Sequence, residues 1–393
     1  MLAAKHIFGF DQIESSIPRA NVIYNERSIS YSWLTDSSRN KNTALDTVSN
    51  LINSNTNFLY LIDFRPGDED TFFNNLNLSA EVSSHAKQKK CKICIFAATE
   101  YAAGKDIDER MNIFAEQYSL DKDTLYFITG NFLASNFEAN KFTYVPYSYF
   151  LDFPWFIKKN LPVSINKVIP FKLKNKVLCY NRRPRTHRKI LVYYLQKNPD
   201  LLKNIDLTFG GVSNAHMNIN HINPLRECIK DESLCQEIFD YFEINSGLEL
   251  RIDESDLEIN LADSFNLVQH QETFISLVSE TEIREDILFL SEKIYKPIYA
   301  QQPFIIYGNP YSLKHLKELG FKTFDKWINE SYDNEENFEK RLTMILEELK
   351  IIASKSLEEL TDIRNEMREI LIHNYKHFLI TDNTEEFFNK FKF

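Results

Sequence analysis

Two stretches of this chain gather groups able to hold an anion. The first, Asn181-Arg182-Arg183-Pro184-Arg185-Thr186-His187-Arg188, carries five cationic or potentially cationic side chains. It does so in an acidic protein, with 46 Lys and Arg against 56 Asp and Glu and a formal net charge of -10. Arginine's planar fork matches phosphate oxygens. The second stretch has Glu280 and then Ser291-Glu292-Lys293 at the start of an expected helix. A helix N-terminus with a lysine attracts phosphate through free N–H groups and the helix dipole. A carboxylate beside it can accept hydrogen bonds from ribose hydroxyls. Taken singly, these features are ordinary. Glu292 and Lys296 have the spacing of a surface pair, and the arginine run also fits a solvated basic turn or a nucleic-acid contact. Taken together, and both at strand-to-helix junctions, they favour an anion site.

The elements that must position these groups are readable. Residues 274–278 (FISLV) form a short apolar run suited to one buried strand. Residues 279–286 are polar and acidic, hence a loop. Ser291 can cap a helix opening at Glu292 that turns Ile294, Tyr295 and Ile298 inward, and Pro297 should kink or shorten it. Residues 304–307 make the next strand, closed by Gly308-Asn309-Pro310. Two buried strands joined through a helix form a βαβ unit of a parallel sheet. Glu280 and the Ser291–Lys293 triplet then lie in the crevice beyond the carboxyl ends of the strands. Residues 176–180 (KVLCY) read as another strand, which delivers the arginine turn to the helix KILVYYLQK. Residues 205–209 followed by Gly210-Gly211 give a further strand and turn, where backbone can approach a ligand. Residues 214–263 read as a partly helical insertion without evident chemistry.

The first half repeats the alternation. Strands are expected at 6–10, 21–24, 58–63, 91–97 and 125–129, with helices at 76–90 and 107–118. Acids stand at two strand exits, Asp63 and Glu100. Asp68-Glu69-Asp70 has the D-x-D form of metal-dependent sugar transferases, but no apolar strand directly precedes it, so a loop or helix start is expected there. Residues 144–170 hold four prolines and read as an irregular inter-domain connection. Residues 337–378 are charged and amphipathic, one or two helices.

Composition sets the frame. A chain of 393 residues exceeds one typical core. The 31 Phe and 19 Tyr can fill two cores, and only 9 Gly argue against low complexity. The net acidity disfavours nucleic-acid binding by the whole surface. Lys87, Lys89, Lys90 and Lys92 form the candidate basic cluster of the first half and read as a solvated helix end. The five cysteines, Cys91, Cys94, Cys179, Cys228 and Cys235, are odd in number and come without a secretory signal, so reduced thiols in the cytoplasm are expected. Cys91 and Cys94 form a C-x-x-C inside a strand pattern and read as structural. No apolar run is long enough to span a bilayer.

The second stretch resembles the nucleotide-sugar-binding segment of bacterial alpha-1,3-fucosyltransferases and related GT-B glycosyltransferases. That family has a strand, a loop opened by glutamate, a Thr-Glu-Lys triplet starting a helix, and an apolar strand ending in glycine. Here these are Glu280, Ser291-Glu292-Lys293, and residues 303–308. Serine stands where threonine is usual, and Thr281 where asparagine is usual. LKELGFKTFDKWINESYD (316–333) is similar to a segment of glycosyltransferase-like proteins from bacteria and phages. The resemblance covers about the second half of the chain and implies an α/β fold of two Rossmann-like domains (GT-B type) with C-terminal helices packing back on the first. The expected division is an acceptor domain at 1–165, a donor domain at 166–335 and terminal helices at 336–393. It implies a cytoplasmic, metal-independent, inverting glycosyltransferase without a cofactor, using a GDP-sugar or UDP-sugar donor and a glycan or other hydroxyl acceptor. Arg182 or Arg183, and Arg185, would hold the diphosphate with Lys293 and Ser291. Glu292 would hold the ribose, and Glu280 would contact the sugar or order the loop. A carboxylate of the first domain, Glu100 or else Asp63, would be the base. Two alternatives stay open: a phage-type sugar transferase acting on nucleic-acid bases, and a nucleotide-binding module without catalysis.

Overall fold

The computed structural model describes residues 6–10, 43–64, 69–137, 139–152, 164, 166–210, 222–252, 266–381 and 384–391. The chain divides into two compact units, one of residues 1–153 with 382–393, the other of residues 154–381. Each is α/β with a parallel sheet.

The sheet of the first unit has β1 (His6–Phe10), β2 (Thr43–Thr47), β3 (Phe58–Asp63), β4 (Cys91–Ala97), β5 (Leu125–Thr129) and β6 (Thr143–Pro146) in the order β2-β1-β3-β4-β5-β6. Every described pairing is parallel. Strand β4, CKICIFA, is buried along its whole length. Such continuous burial is expected of a central parallel strand covered on both faces. Helix Lys105–Tyr118 supplies Met111, Phe114 and Ala115 to the same core as Phe58, Ile62, Ile93, Ile95 and Phe127. It ends at Ser119 in the left-handed conformation. The expected helix at 76–90 is shorter, Ala80–Lys87, because Ser79 caps it by accepting from Val82 N. The stretch from residue 144, expected to be irregular, begins within β6, which pairs with β5 in the register Phe127↔Tyr144. Pro146 closes this edge strand, a position where a missing N–H breaks no ladder.

The sheet of the second unit has β7 (Asn175–Cys179), β8 (Ile205–Leu207), β9 (Thr273–Ser279) and β10 (Phe304–Tyr307) in the order β10-β9-β7-β8. The chain moves from β7 outward to β8, then returns to the other side of β7 to lay down β9 and β10. This reversal lies between β7 and β9, and the carboxyl ends of strands at such a reversal are where open parallel sheets bind ligands. A corresponding reversal lies between β1 and β3 of the first sheet.

The region 337–378 forms three helices, Phe338–Ser354, Leu357–Glu366 and Arg368–Ile380. The first break is dictated by Ser356, whose capping box with Glu359 starts a new helix. These helices belong to the second unit. Tyr295 stacks on Phe378 at 5.1 Å, and the buried Arg364 donates to the carbonyls of Thr273 (2.9 Å) and Gln301 (3.3 Å). Only the last described helix, Thr384–Asn389, belongs to the first unit, with Phe387 against Tyr147 at 4.3 Å and Phe391 against Tyr126 at 5.0 Å. Among the described residues no helix is long and apolar enough to cross a membrane. The strand expected at 21–24 and the acid Asp68 lie outside the described residues.

Candidate functional site

Strand β9 ends at Ser279, and the next residue, Glu280, is completely buried. Its carboxylate accepts from Ser291 Oγ at 2.5 Å, Ser291 N at 3.3 Å and Thr281 N at 3.2 Å. Ser291 in turn caps helix Glu292–Tyr299 by accepting from Lys293 N. Lys293 Nζ donates to Thr281 Oγ1 and Ser291 Oγ, both at 3.2 Å, and to Glu292 Oε1 at 2.9 Å. Glu280, Ser291, Glu292 and Lys293 are thus brought into one cluster. Gly308 makes it possible, since a Cβ there would stand 2.9 Å from Glu280 Cβ.

The turn after β7 closes the other side of the crevice. Arg188 is buried and donates to Ser279 Oγ (3.2 Å), Ser279 O (3.0 Å), Glu280 O (2.9 Å) and Arg183 O (3.2 Å). Its guanidinium bolts the turn to the end of β9. His187 Nε2 lies 3.0 Å from Glu280 O, and Tyr307 OH donates to His187 O at 2.8 Å. An added Cβ at Gly210 would run into the Arg182 carbonyl, so the chain leaving β8 also packs against this turn. The turn is therefore rigid, while the side chains of Arg182 and Arg183 are exposed and that of Arg185 is partly so.

Charge is balanced inside and surplus outside. The buried carboxylates Glu280 and Glu292 are matched by Arg188 and Lys293. Arg182, Arg183 and Arg185 have no carboxylate partner among the described residues. Burial pushes the Glu280 carboxyl above the usual carboxylate range, against Lys293 and the Ser291 hydrogen bond. Burial also presses Glu292 upward, but Lys293, Lys296 and the Lys293 hydrogen bond outweigh it and leave Glu292 below that range. Burial, then the charge of Arg188, drives His187 well below the usual imidazole range, so it is neutral. Burial lowers Arg188 to about 10, which keeps it charged at neutral pH.

The loop between Glu280 and Ser291 is held from behind. Asn309 accepts from Phe289 N (3.4 Å) and donates to Arg284 O (2.7 Å), while the buried Arg341 donates to Ile283 O (3.3 Å). The sequence marked Asn309 only as part of a turn and did not mark Arg341 or the clamping role of Arg188. A signal for Arg188 existed: helix Thr186–Gln196 is buried on nearly all sides, so a charge in its first turn must find internal acceptors.

In the first unit, Asp63 ends β3 and Glu100 follows β4, the neighbouring strand, so both stand at the carboxyl edge of that sheet. The Asp63 side chain lies outside the described residues. Glu100 is partly exposed, and its carbonyl accepts from Gly130 N at 2.8 Å. Two clefts of this unit lie elsewhere. One, of about 420 Å³, is lined by Asp70, Phe73, Asp106, Arg110 and Ile113, on helices Glu69–Asn75 and Lys105–Tyr118. The other, of about 620 Å³, is lined by Lys92 and Asp123 at the opposite, amino end of β4 and β5. Three of the four lysines of the 87–92 cluster bond to neighbouring side chains. Lys89 pairs with Asp123 at 2.5 Å, Lys90 bonds to Asn55 at 2.7 Å, and Lys92 is buried against Tyr126 at 2.9 Å. Cys91 and Cys94 are buried thiols, and among the described residues no cluster suited to a metal ion occurs.

No protein-family model matches the sequence, and no curated protein matches it. The likeness to alpha-1,3-fucosyltransferases therefore rests on its motif residues alone.

Proposed function

We propose that this chain is a glycosyltransferase that moves a sugar from a nucleoside-diphosphate sugar to a hydroxyl acceptor, on two Rossmann-like domains of the GT-B type. The observation that carries the reading is the three arginines without carboxylate partners among the described residues, Arg182, Arg183 and Arg185, on a rigid turn at the strand-order reversal of an acidic protein. A fixed anion is the ligand such a turn suits, and a diphosphate matches its charge. The family resemblance adds the sugar.

In this reading the arginines, with Lys293 behind them, neutralise the departing diphosphate, where negative charge grows in the transition state. Glu292, charged and 8% exposed, accepts the ribose hydroxyls. Glu280, at 0% exposure, orders the loop and helix start and leaves sugar contact to others. Glu100 deprotonates the acceptor hydroxyl, with Asp63 as the second choice, and direct displacement inverts the sugar. Because Lys92 is buried and Lys89 and Lys90 bond to neighbouring side chains, a glycan or other small hydroxyl acceptor fits the first unit better than nucleic acid.

The test is a thermal-shift panel of GDP, UDP, CMP and their sugar conjugates on wild type and on an Arg182→Ala/Arg183→Ala variant. A specific ligand raises the unfolding temperature by mass action. A shift with one nucleoside diphosphate, lost in the variant, supports the donor site and names the donor class. No shift with any of them would sink the reading. Binding without donor turnover would instead identify a nucleotide-binding module.

A further inference from the structure

Helices Glu69–Asn75 and Lys105–Tyr118 follow strands β3 and β4, so both begin at the carboxyl edge of the first sheet, where Glu100 stands. The cleft of about 420 Å³ lies between them. That volume is ordinary for a small-molecule site, about 300–1,000 Å³. Arg110 pairs with Asp70 across the cleft and ties the two helices together. The floor is apolar, with Phe114 in the core, Phe73 packed against it and Ile113 58% exposed. The rim is polar. Its exposed Asn74, Asp106 and Glu109 have no side-chain hydrogen bond or ion pair with any described residue. From Asp106 to Gln117 the lining helix runs about 16 Å, at 1.5 Å per residue.

We infer that this cleft binds an oligosaccharide acceptor and holds the sugars beyond the one that reacts at Glu100. This rests on the transferase reading above. The chemistry of the rim selects the ligand. Ionised carboxylates only accept hydrogen bonds, whereas the Asn74 amide both donates and accepts. A hydroxyl answers both, since it donates to Asp106 and Glu109 and accepts from Asn74. An ammonium or guanidinium serves the carboxylates but offers the Asn74 N–H groups no acceptor. The apolar C–H faces of sugar rings suit a floor of Phe73 and Ile113. Only residues 101–104 separate Glu100 from the helix that lines the cleft. A chain of sugars that presents its terminal hydroxyl to Glu100 can therefore pass over the sheet edge and lie between the helices. The length of the cleft suits several linked sugars better than one.

The experiment passes fluorescently labelled wild type and an Asp106→Ala/Glu109→Ala variant over an array of immobilised oligosaccharides, with a lysine-rich peptide spotted beside them. Calorimetry with GDP and UDP is run on the same preparations. Both substituted side chains are exposed and make no described contact, so the melting temperature should stay at the wild-type value. Asn74→Ala, on the other helix, repeats the comparison should the double variant not fold. Wild type should capture a subset of the oligosaccharides, and the variant should hold them about tenfold less tightly for each hydrogen-bonded carboxylate removed. No captured oligosaccharide, equal capture by variant and wild type, or capture of the peptide alone would overturn the assignment. Nucleoside diphosphate binding without oligosaccharide capture removes the cleft and leaves the donor site standing. Oligosaccharide capture that the variant loses, with no nucleoside diphosphate bound, removes the transferase reading and leaves the cleft as a sugar site.

Discussion

The carboxylate of Glu280 lies 2.5 Å from Ser291 Oγ and takes the Ser291 N–H as well, at 3.3 Å. The start of helix Glu292–Tyr299 is thus closed by a carboxyl group belonging to the chain. A ligand phosphate need not sit at that helix start. In the donor-site reading the phosphate goes instead to Arg182, Arg183 and Arg185, which have no carboxylate partner among the described residues.

Ser291→Ala should be costly for its size. It removes an N-cap, worth about 1 kcal/mol, and takes a donor from a buried carboxylate, worth about 1–3 kcal/mol. Urea unfolding should report a loss of about 2–4 kcal/mol, with Ser291→Thr recovering most of it. A loss below about 0.5 kcal/mol, as for an ordinary surface serine, would mean that Glu280 is held by other means.

Arginines of the one turn should separate by role. Arg188→Lys leaves two or three buried carbonyl acceptors poorly served, at about 1 kcal/mol each, and should lower stability accordingly. Arg182→Ala and Arg183→Ala should stay within about 0.5 kcal/mol of wild type yet lose nucleoside diphosphate binding. Paired denaturation and binding measurements distinguish them. A stable Arg188→Lys protein would show that the four guanidinium contacts are not needed to hold the turn.

How much of this was legible in the sequence follows from how far each feature is local. Strands β3, β4, β5 and β10 were readable because buried parallel strands are unbroken apolar runs between polar turns. Ser291 was readable as a cap because capping is a contact between near neighbours in sequence. Strand β6 escaped notice because four residues ending in proline resemble a linker until a neighbour supplies the hydrogen bonds. The function of Arg188 escaped for the same reason, since its acceptors, Ser279 and Glu280, lie far away in the chain. Gly308 was visible as a strand terminator, but its need to clear Glu280 Cβ is tertiary.

Acid should weaken the fold in a defined window. His270 is buried against Gln302 Oε1 at 2.6 Å, and burial lowers its pKa from 6.5 to about 4. Between those values the unfolded chain takes up a proton that the folded chain refuses, so stability falls as pH falls. His187 acts in the same sense, and Glu280, which holds its proton to higher pH when folded, acts oppositely. The His270 share is on the order of 2 kcal/mol by pH 5. His270→Gln should flatten the unfolding free energy between pH 7 and 5 by that amount. An unchanged slope would show that His270 accepts its proton in the folded state.

Glu100→Gln should abolish sugar transfer while nucleotide affinity stays at the wild-type value, read by product formation and by calorimetry on the same preparation. Normal turnover would remove Glu100 and direct attention to Asp63→Asn.

Helix Thr384–Asn389 and Phe391 complete the first unit after the chain has passed through the whole of the second. On the ribosome, Tyr147 and Tyr126 therefore wait for Phe387 and Phe391 until the whole intervening second unit has been made. A nascent chain halted before residue 384 lacks the aromatic cover of Tyr147 and Tyr126, leaving apolar ring surface of the kind that chaperones recognise.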